Sequence, residues 1–294
     1  MLNRVTNLTM SAAAQRTLQT QQSRLAELQD KATTLNKISR PSDDPAATAQ
    51  ALQTRARMAS AAQYALNIED GDRWLAAADS ALEQATNVVH KMQDLAVQAG
   101  NDTLSASGRE ALARELEGLN EDLLSIANRK HLGRNIFAGS SDAANAFTGT
   151  PAVFNGVPES SVERRVSESQ TIRVDADGAA IFGDGPTSIF DTVKGIVTAL
   201  RDDQNIAALA GQLESGVTSV IDGRAEIGVR QAQLERAGNI NTELEATLDA
   251  QRNGIEKADL GSVIMDLKLQ ETNYQVALAA TARVLQPTLM DFLR

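Results

Sequence analysis

Leu75, Ala78, Leu82, Ala85, Val89, Met92, Ala96 and Ala99 recur at alternating steps of three and four residues without a miss. That spacing holds apolar side chains on one narrow stripe of an α-helix, the seam of a heptad pattern. The helix carrying it is predicted to begin near Pro45 and Ala46, which makes it about 54 residues and roughly 80 Å long. The run from Gly100 to Ser107 breaks it with Gly-Asn-Asp-Thr. A second seam follows at Leu112, Leu116, Leu119, Leu123, Ile126 and Lys130, and its polar last member fits a helix end.

Both ends of the chain carry weaker seams. Leu18, Leu25, Leu28, Ala32 and Leu35 mark the first, with Gln21 in one core-facing slot. In the last, one set of seven-residue steps holds Leu260, Leu267, Tyr274, Thr281 and Thr288, and the interleaved set holds Ile264, Glu271, Leu278, Leu285 and Phe292. Polar residues at core-type positions lower stability but specify register and partner. The two ends are therefore expected to pair with other helices, through Leu18, Leu25, Leu28, Leu35, Leu260, Ile264, Leu267, Tyr274, Leu278, Leu285 and Phe292.

From Asn205 to about Arg252 another long helix is predicted, with Leu213, Val217, Val220, Ile227, Leu234 and Leu248 on one face and Arg224, Gln231 and Gly238 interrupting it. Non-helical signals cluster in the middle. Gly139-Ser140-Ser141 opens the region, Val162 to Val166 and Thr171 to Val174 read as short strands, Asp177-Gly178 as a tight turn, and Asp184-Gly185-Pro186 closes it. A sheet of that size needs helices to lean on. The expected fold is mainly α: a long antiparallel helical bundle or coiled coil built from the N- and C-terminal regions, with a small β-rich insertion domain in the middle. Its segments are residues 1–44 (coiled coil and spoke), 45–138 (helical core), 139–186 (β insertion, expected on the outside and dispensable for assembly), 187–255 (helical core) and 256–294 (coiled coil).

Composition supports long helices. Aromatic residues make up 3% of the chain, so aromatic packing is expected to anchor little of the interior. The net charge of −10 argues against nucleic acid, because binding phosphate needs a surplus of Lys and Arg. There is no cysteine, hence no disulfide and no thiolate metal site. Met1 to Thr20 lacks the apolar run of a secretory signal, and no stretch approaches the ~20 apolar residues that span a bilayer. The chain is expected to be soluble, without membrane insertion, and to leave the cell, if it does, by a route without a cleaved signal.

Candidate chemistry is sparse. His90 and His131 are far apart and lack companion ligands. Asp175-Ala176-Asp177-Gly178 opens like a calcium loop, but Ala179 occupies the next ligand position and Pro186 the place of the closing Glu, so a hairpin turn is the better account. Asp202-Asp203 suits a cap at a helix break, and the sequons at Asn7 and Asn101 are short enough to arise by chance. No phosphate loop, nucleotide fingerprint or nucleophile elbow occurs in a fitting context. No enzyme activity, cofactor or metal is expected.

In Lys37-Ile38-Ser39-Arg40-Pro41-Ser42-Asp43-Asp44-Pro45-Ala46, each proline disfavours helix in the residue before it, and Asp44 is placed to cap a helix with Pro45 at its first position. Residues alone read this as a rigid, extended spoke between two helices. The segment also resembles the Arg-Pro-Ser-Asp-Asp-Pro signature of the flagellin superfamily, in the form carried by its hook-filament junction branch. The resemblance continues through Asn67-Ile68-Glu69-Asp70-Gly71, Leu95 to Thr103, Gly133 to Ser140, Thr272 to Leu278 and Leu289 to Leu293. It covers about the first 140 and last 90 residues, in order. Filament flagellins usually carry Ser-Ala-Lys-Asp-Asp-Ala at the spoke; Gln286-Pro287 is flagellin-like, whereas Phe137 to Ser140 and Asp291 to Leu293 resemble the junction branch.

The resemblance implies an extracellular part of the bacterial flagellum, exported unfolded through the flagellar type III apparatus and set as a ring between hook and filament. It implies as partners further copies of the chain, the hook-side junction protein, flagellin, and a cytoplasmic export chaperone before secretion. A filament subunit is the alternative within the family. An unrelated secreted helical adaptor is the alternative outside it.

Overall fold

A computed structural model describes residues 2–100, 104–157 and 160–285, with side chains described between residues 9 and 283 of those ranges. Helix α1 is Leu2–Thr34, α2 is Pro45–Ala99, α3 is Ala106–Ala127, α4 is Gly178–Phe182, α5 is Ile189–Arg201, α6 is Ala207–Glu256 and α7 is Leu260–Leu285. The chain is mainly helical, as its periodicity predicts. Asp44 caps α2 by accepting a hydrogen bond from Ala47 N at 2.9 Å, with Pro45 at the first position, where its missing N–H costs nothing. Ser105 caps α3 through Gly108 N at 3.1 Å. Every member of the α2 seam from Leu75 to Ala99 is buried, as are Leu112, Leu116, Leu119 and Leu123 of α3. Lys130 departs from that seam and lies in a strand beyond the helix end.

Two compact units result. One comprises residues 1–60 with 245–294, the other residues 61–244, and α2 and α6 each contribute to both. The division differs from the expected five segments. In the second unit α2, α3, α5 and α6 enclose the core, and α5, which falls within the 187–255 segment expected to be helical, buries Ile189, Phe190, Val193, Ile196, Val197 and Leu200. Ser188 caps it by accepting from Asp191 N.

The β elements form three antiparallel ribbons of two strands each: β1 (Lys130–His131) with β2 (Arg134–Asn135), β3 (Phe147–Thr148) with β4 (Val153–Phe154), and β5 (Glu163–Arg165) with β6 (Thr171–Arg173). Arg164 faces Ile172 at the centre of the third ribbon. Asp177-Gly178 makes no hairpin turn. Asp177 instead caps α4, accepting from Ala179 N and Ala180 N. The insertion is also no outlying domain, because Val166, Ile172, Val174, Ile181 and Phe182 belong to the same buried cluster as the α2 and α6 seams.

Aromatic packing carries more of this core than composition suggests. Phe137, Phe147, Phe154, Phe182 and Phe190, five of the six phenylalanines, stack edge-on or tilted with ring centroids 5.2 to 5.9 Å apart. Scarce residues thus gather at the place where short ribbons must be held to helices, and each such ring pair adds roughly 0.5 to 1.5 kcal/mol beyond its area burial.

Four glycines of α6 divide by what surrounds them. A Cβ on Gly216 would stand 2.5 Å from Ile189 Cγ1 and one on Gly223 2.6 Å from Ile181 Cγ1, whereas Gly211 and Gly228 have open space. Alanine at Gly211 or Gly228 should therefore stabilise by up to about 1 kcal/mol through helix propensity. Valine at Gly216 or Gly223 should cost about 1 to 3 kcal/mol through overpacking. Urea denaturation of the four single variants checks the opposite signs.

Candidate functional site

The candidate site is the pair formed by the chain's two ends. Helices α1 and α7 run antiparallel: Gln270 Nε2 donates to the Gln21 backbone oxygen at 3.1 Å and to Gln21 Oε1, while Ala258 N donates to Leu35 O at 2.8 Å at the joint. On α1 the residues turned from solvent are Ser11, Ala14, Leu18, Gln21, Leu25, Leu28 and Ala32, at three-four spacing, together with Lys31 beside the last of them. On α7 they are Val263, Leu267, Gln270, Glu271, Tyr274, Ala277 and Thr281. The glutamine in a core slot of α1 thus meets a glutamine in a core slot of α7. A slip by one helical turn would leave both amides in an apolar seam without partners.

The eleven candidate interface residues fall into separate groups. Leu18, Leu25, Leu28, Leu267 and Tyr274 are half-buried along this pair. Leu260, Ile264 and Leu278 stay 49%, 46% and 43% exposed, on the flank of α7 beside the seam. Leu35 lies past the end of α1 with φ of 55° and hydrogen-bonds through its backbone. The side chain of Leu285, and Phe292 altogether, lie outside the described residues, as does Thr288. Met265, Leu269 and Val276 also face solvent on α7 and were missed. Their signal was the apolar character of α7 on more than one stripe.

The family motif is a turn, not an extended spoke. Asp43 N donates to Arg40 O at 3.0 Å and Asp43 Oδ2 accepts from Arg40 N at 2.9 Å, which puts Pro41 at the second position of a β-turn, where its fixed φ fits. Ser42 is exposed at the turn and Asp44 and Pro45 open α2. The connector before it pairs with the joint between α6 and α7, Asn36 opposite Lys257, with Lys37 N donating to Glu256 O at 2.7 Å. Arg55 Nε reaches Glu256 Oε1 at 2.7 Å, and this hydrogen bond, more than the accompanying charge, raises the pKa of the guanidinium. Both connectors thereby become a single braced joint. A shallow groove of about 180 Å³ beside it is lined by Ile38, Pro41, Ala51 and Leu52.

Among the described residues no group of three His, Asp or Glu side chains is placed to hold a metal ion, and no helix is long and apolar enough to cross a membrane. The arrangement offers packing surfaces and a register lock. The pattern of the bacterial flagellin N-terminal helical region matches residues 5–142. Over 277 residues the chain is 26% identical to flagellar hook-associated protein 3 of Salmonella typhimurium, covering 85% of this chain and 87% of that one. Its N-terminal part thus matches the flagellin helical region, and most of its length is similar to a flagellar hook-associated protein. It is also 26% identical over 270 residues to the protein of the same name from Escherichia coli. By fold it resembles a flagellar hook-associated protein 3 from Legionella pneumophila, with a TM-score of 0.63 at 17% identity over 69% of this chain and 98% of that one. A putative hook-associated protein of Vibrio parahaemolyticus gives a TM-score of 0.68 at 18% identity, over 73% of this chain and all of that one. Against flagellin B of Vibrio cholerae the identity rises to 33% but is confined to 81 residues, 28% of this chain.

Proposed function

We propose that this chain is a structural junction subunit of the bacterial flagellum, which assembles with copies of itself into a ring connecting hook to filament. The supporting observation is the extent of likeness. Similarity to hook-associated protein 3 covers 85% of the chain, whereas similarity to flagellin B covers 28% of it. The geometry suits this role. The α1–α7 pair locks its own register through Gln21 and Gln270, and Leu260, Ile264 and Leu278 remain on the flank of α7 for the helices of neighbouring copies. The braced turn from Arg40 to Pro45 fixes where that pair leaves α2 and α6.

The subunit acts outside the cell, after export through the flagellar type III apparatus with a chaperone holding it in the cytoplasm. On one side it meets the hook-side junction protein and on the other flagellin. A junction faces a different neighbour on each side, so its contacts should disfavour endless self-addition. A filament subunit is the second reading, favoured by 24% identity over 97% of this chain to a filament core protein of Treponema phagedenis.

Deletion of the chain should leave hooks in place, abolish retained filaments and release flagellin into the medium, as seen by electron microscopy and immunoblotting. Purified protein should form no long filaments. Normal filaments on the deletion strain, or long filaments grown from the purified chain alone, overturn the junction reading.

A further inference from the structure

Leu35 occupies a position that glycine usually takes. Its N–H donates to Lys31 O at 2.8 Å and its φ is 55°, the single-bond left-handed cap that ends a helix, here just past Thr34. A leucine bears steric strain there that glycine escapes. Its side chain gives little back, since it stays 37% exposed. Yet the residue falls in step with the α1 seam: Leu18, Gln21, Leu25, Leu28, Ala32 and Leu35 follow one another by three and four residues. The residue type suits a helix, and the backbone it adopts does not. Such a conflict points to a second conformation in which the residue is at ease.

What holds the strained form is a bridge to the other connector. Asn36 stands opposite Lys257, flanked by the bonds from Lys37 N to Glu256 O at 2.7 Å and from Ala258 N to Leu35 O at 2.8 Å. All of these residues lie in the unit of residues 1–60 with 245–294. One more turn of α1 would exchange the bonds almost evenly. Lys37 N would pass from Glu256 O to Thr33 O within the helix, and only Ala258 N, in a half-buried residue, would turn to water. The helix would stop there, because Pro41 disfavours helix at Arg40.

We infer that this joint has two states: in the isolated chain Leu35 caps α1 and bridges to Ala258, and in the assembled ring α1 gains one more turn, which brings Leu35 into the seam. The bridge favours the first state. Relief of the left-handed backbone and burial of Leu35 favour the second once the helices of a neighbouring copy close over the seam. The turn from Arg40 to Pro45 is the same in both. The inference rests on the reading above that the chain assembles with its copies.

The first state can be locked. Asn36 and Lys257 form a pair without mutual hydrogen bonds, whose Cα atoms stand about 4.5 Å apart, within reach of a disulfide, and the chain has no cysteine of its own. The purified Asn36→Cys, Lys257→Cys double variant should close this disulfide on mild oxidation. Cells carrying it as their only copy, grown in an oxidising medium, should release the disulfide form and hold the reduced form in their flagella. Non-reducing mass spectrometry of the two fractions should find their ratios differing by about tenfold or more. Leu35→Gly removes the strain and disfavours the longer helix. It should slow exchange of the Ala258 amide in the isolated chain by about threefold, yet raise the filament shed at a fixed shear about tenfold. Flagella as rich in the disulfide as the released chain, or Leu35→Gly filaments that hold as firmly as the parent's, would overturn the two-state joint and leave the junction reading intact. A purified double variant that closes no disulfide would overturn it as well.

Discussion

Asp175→Ala is expected to lower the stability of the unit spanning residues 61–244 by about 3 kcal/mol, the lower end of what breaking a buried ion pair costs. The carboxylate is fully buried. It accepts from Arg173 Nε and Nη2, both at 2.9 Å, and from Val162 N at 2.8 Å, while the Asp175 backbone oxygen accepts from Arg230 Nη1 at 2.6 Å. The residue therefore ties the β5–β6 ribbon to α6. A second pair of contacts ties the same ribbon to α2: Arg164 Nε to Asp70 Oδ2 at 2.8 Å, and Asn67 Nδ2 to Arg165 O at 2.8 Å. Removing the carboxylate leaves a guanidinium and a backbone N–H without an acceptor, and Arg173, with a third of its side chain exposed, recovers part of the loss through water. Replacing both partners by apolar residues should cost less than the single change. Urea denaturation followed through Trp74, the one tryptophan, measures both. A single-variant loss below about 1 kcal/mol would show that the ribbon does not depend on this anchor.

Amide exchange in the isolated chain should be fast along α1 and α7 and slow along the seams of α2, α3 and α6, with protection differing by at least about a hundredfold. Among the described side chains of α1 none is fully buried, and on α7 only Val263 and Gln270 are. Two helices sharing one half-wet seam with an amide pair at its centre gain little beyond their own propensity, and isolated helices of this kind are marginal in water. Assembly changes that balance. In isolated flagella the outward residues Leu260, Ile264 and Leu278 should be covered, and protection of α1 and α7 should rise by about a hundredfold or more, since binding only the folded pair stabilises it by mass action. Equal protection of α1 and α2 in the monomer would show that the ends need no partner.

How far the sequence reaches can be argued from particular residues. Local periodicity determined the helices, because a three-four spacing such as Leu75 to Ala99 has only one way to bury its stripe, and the cap at Asp44 and the Pro45 start follow from bonding within one turn. The family was legible in the same way, from short motifs along the chain. On α7 the expected seam combined two interleaved sets. Leu267, Tyr274 and Thr281 of one set turn inward, whereas Ile264 and Leu278 of the other stay exposed, one residue or about 100° of helix from Val263, Gln270 and Ala277, which turn inward in their place. What decided it was Gln21 on the opposite helix, whose amide gives Gln270 a partner that no local rule supplies. The Arg40–Asp43 turn depended on a side chain closing back onto the backbone, and the phenylalanine cluster on residues from Phe137 to Phe190 that meet only when the ribbons dock. Periodicity reports which residues share a face. Which face is buried depends on what stands across from it, and that is set by the packing of segments hundreds of residues apart in sequence.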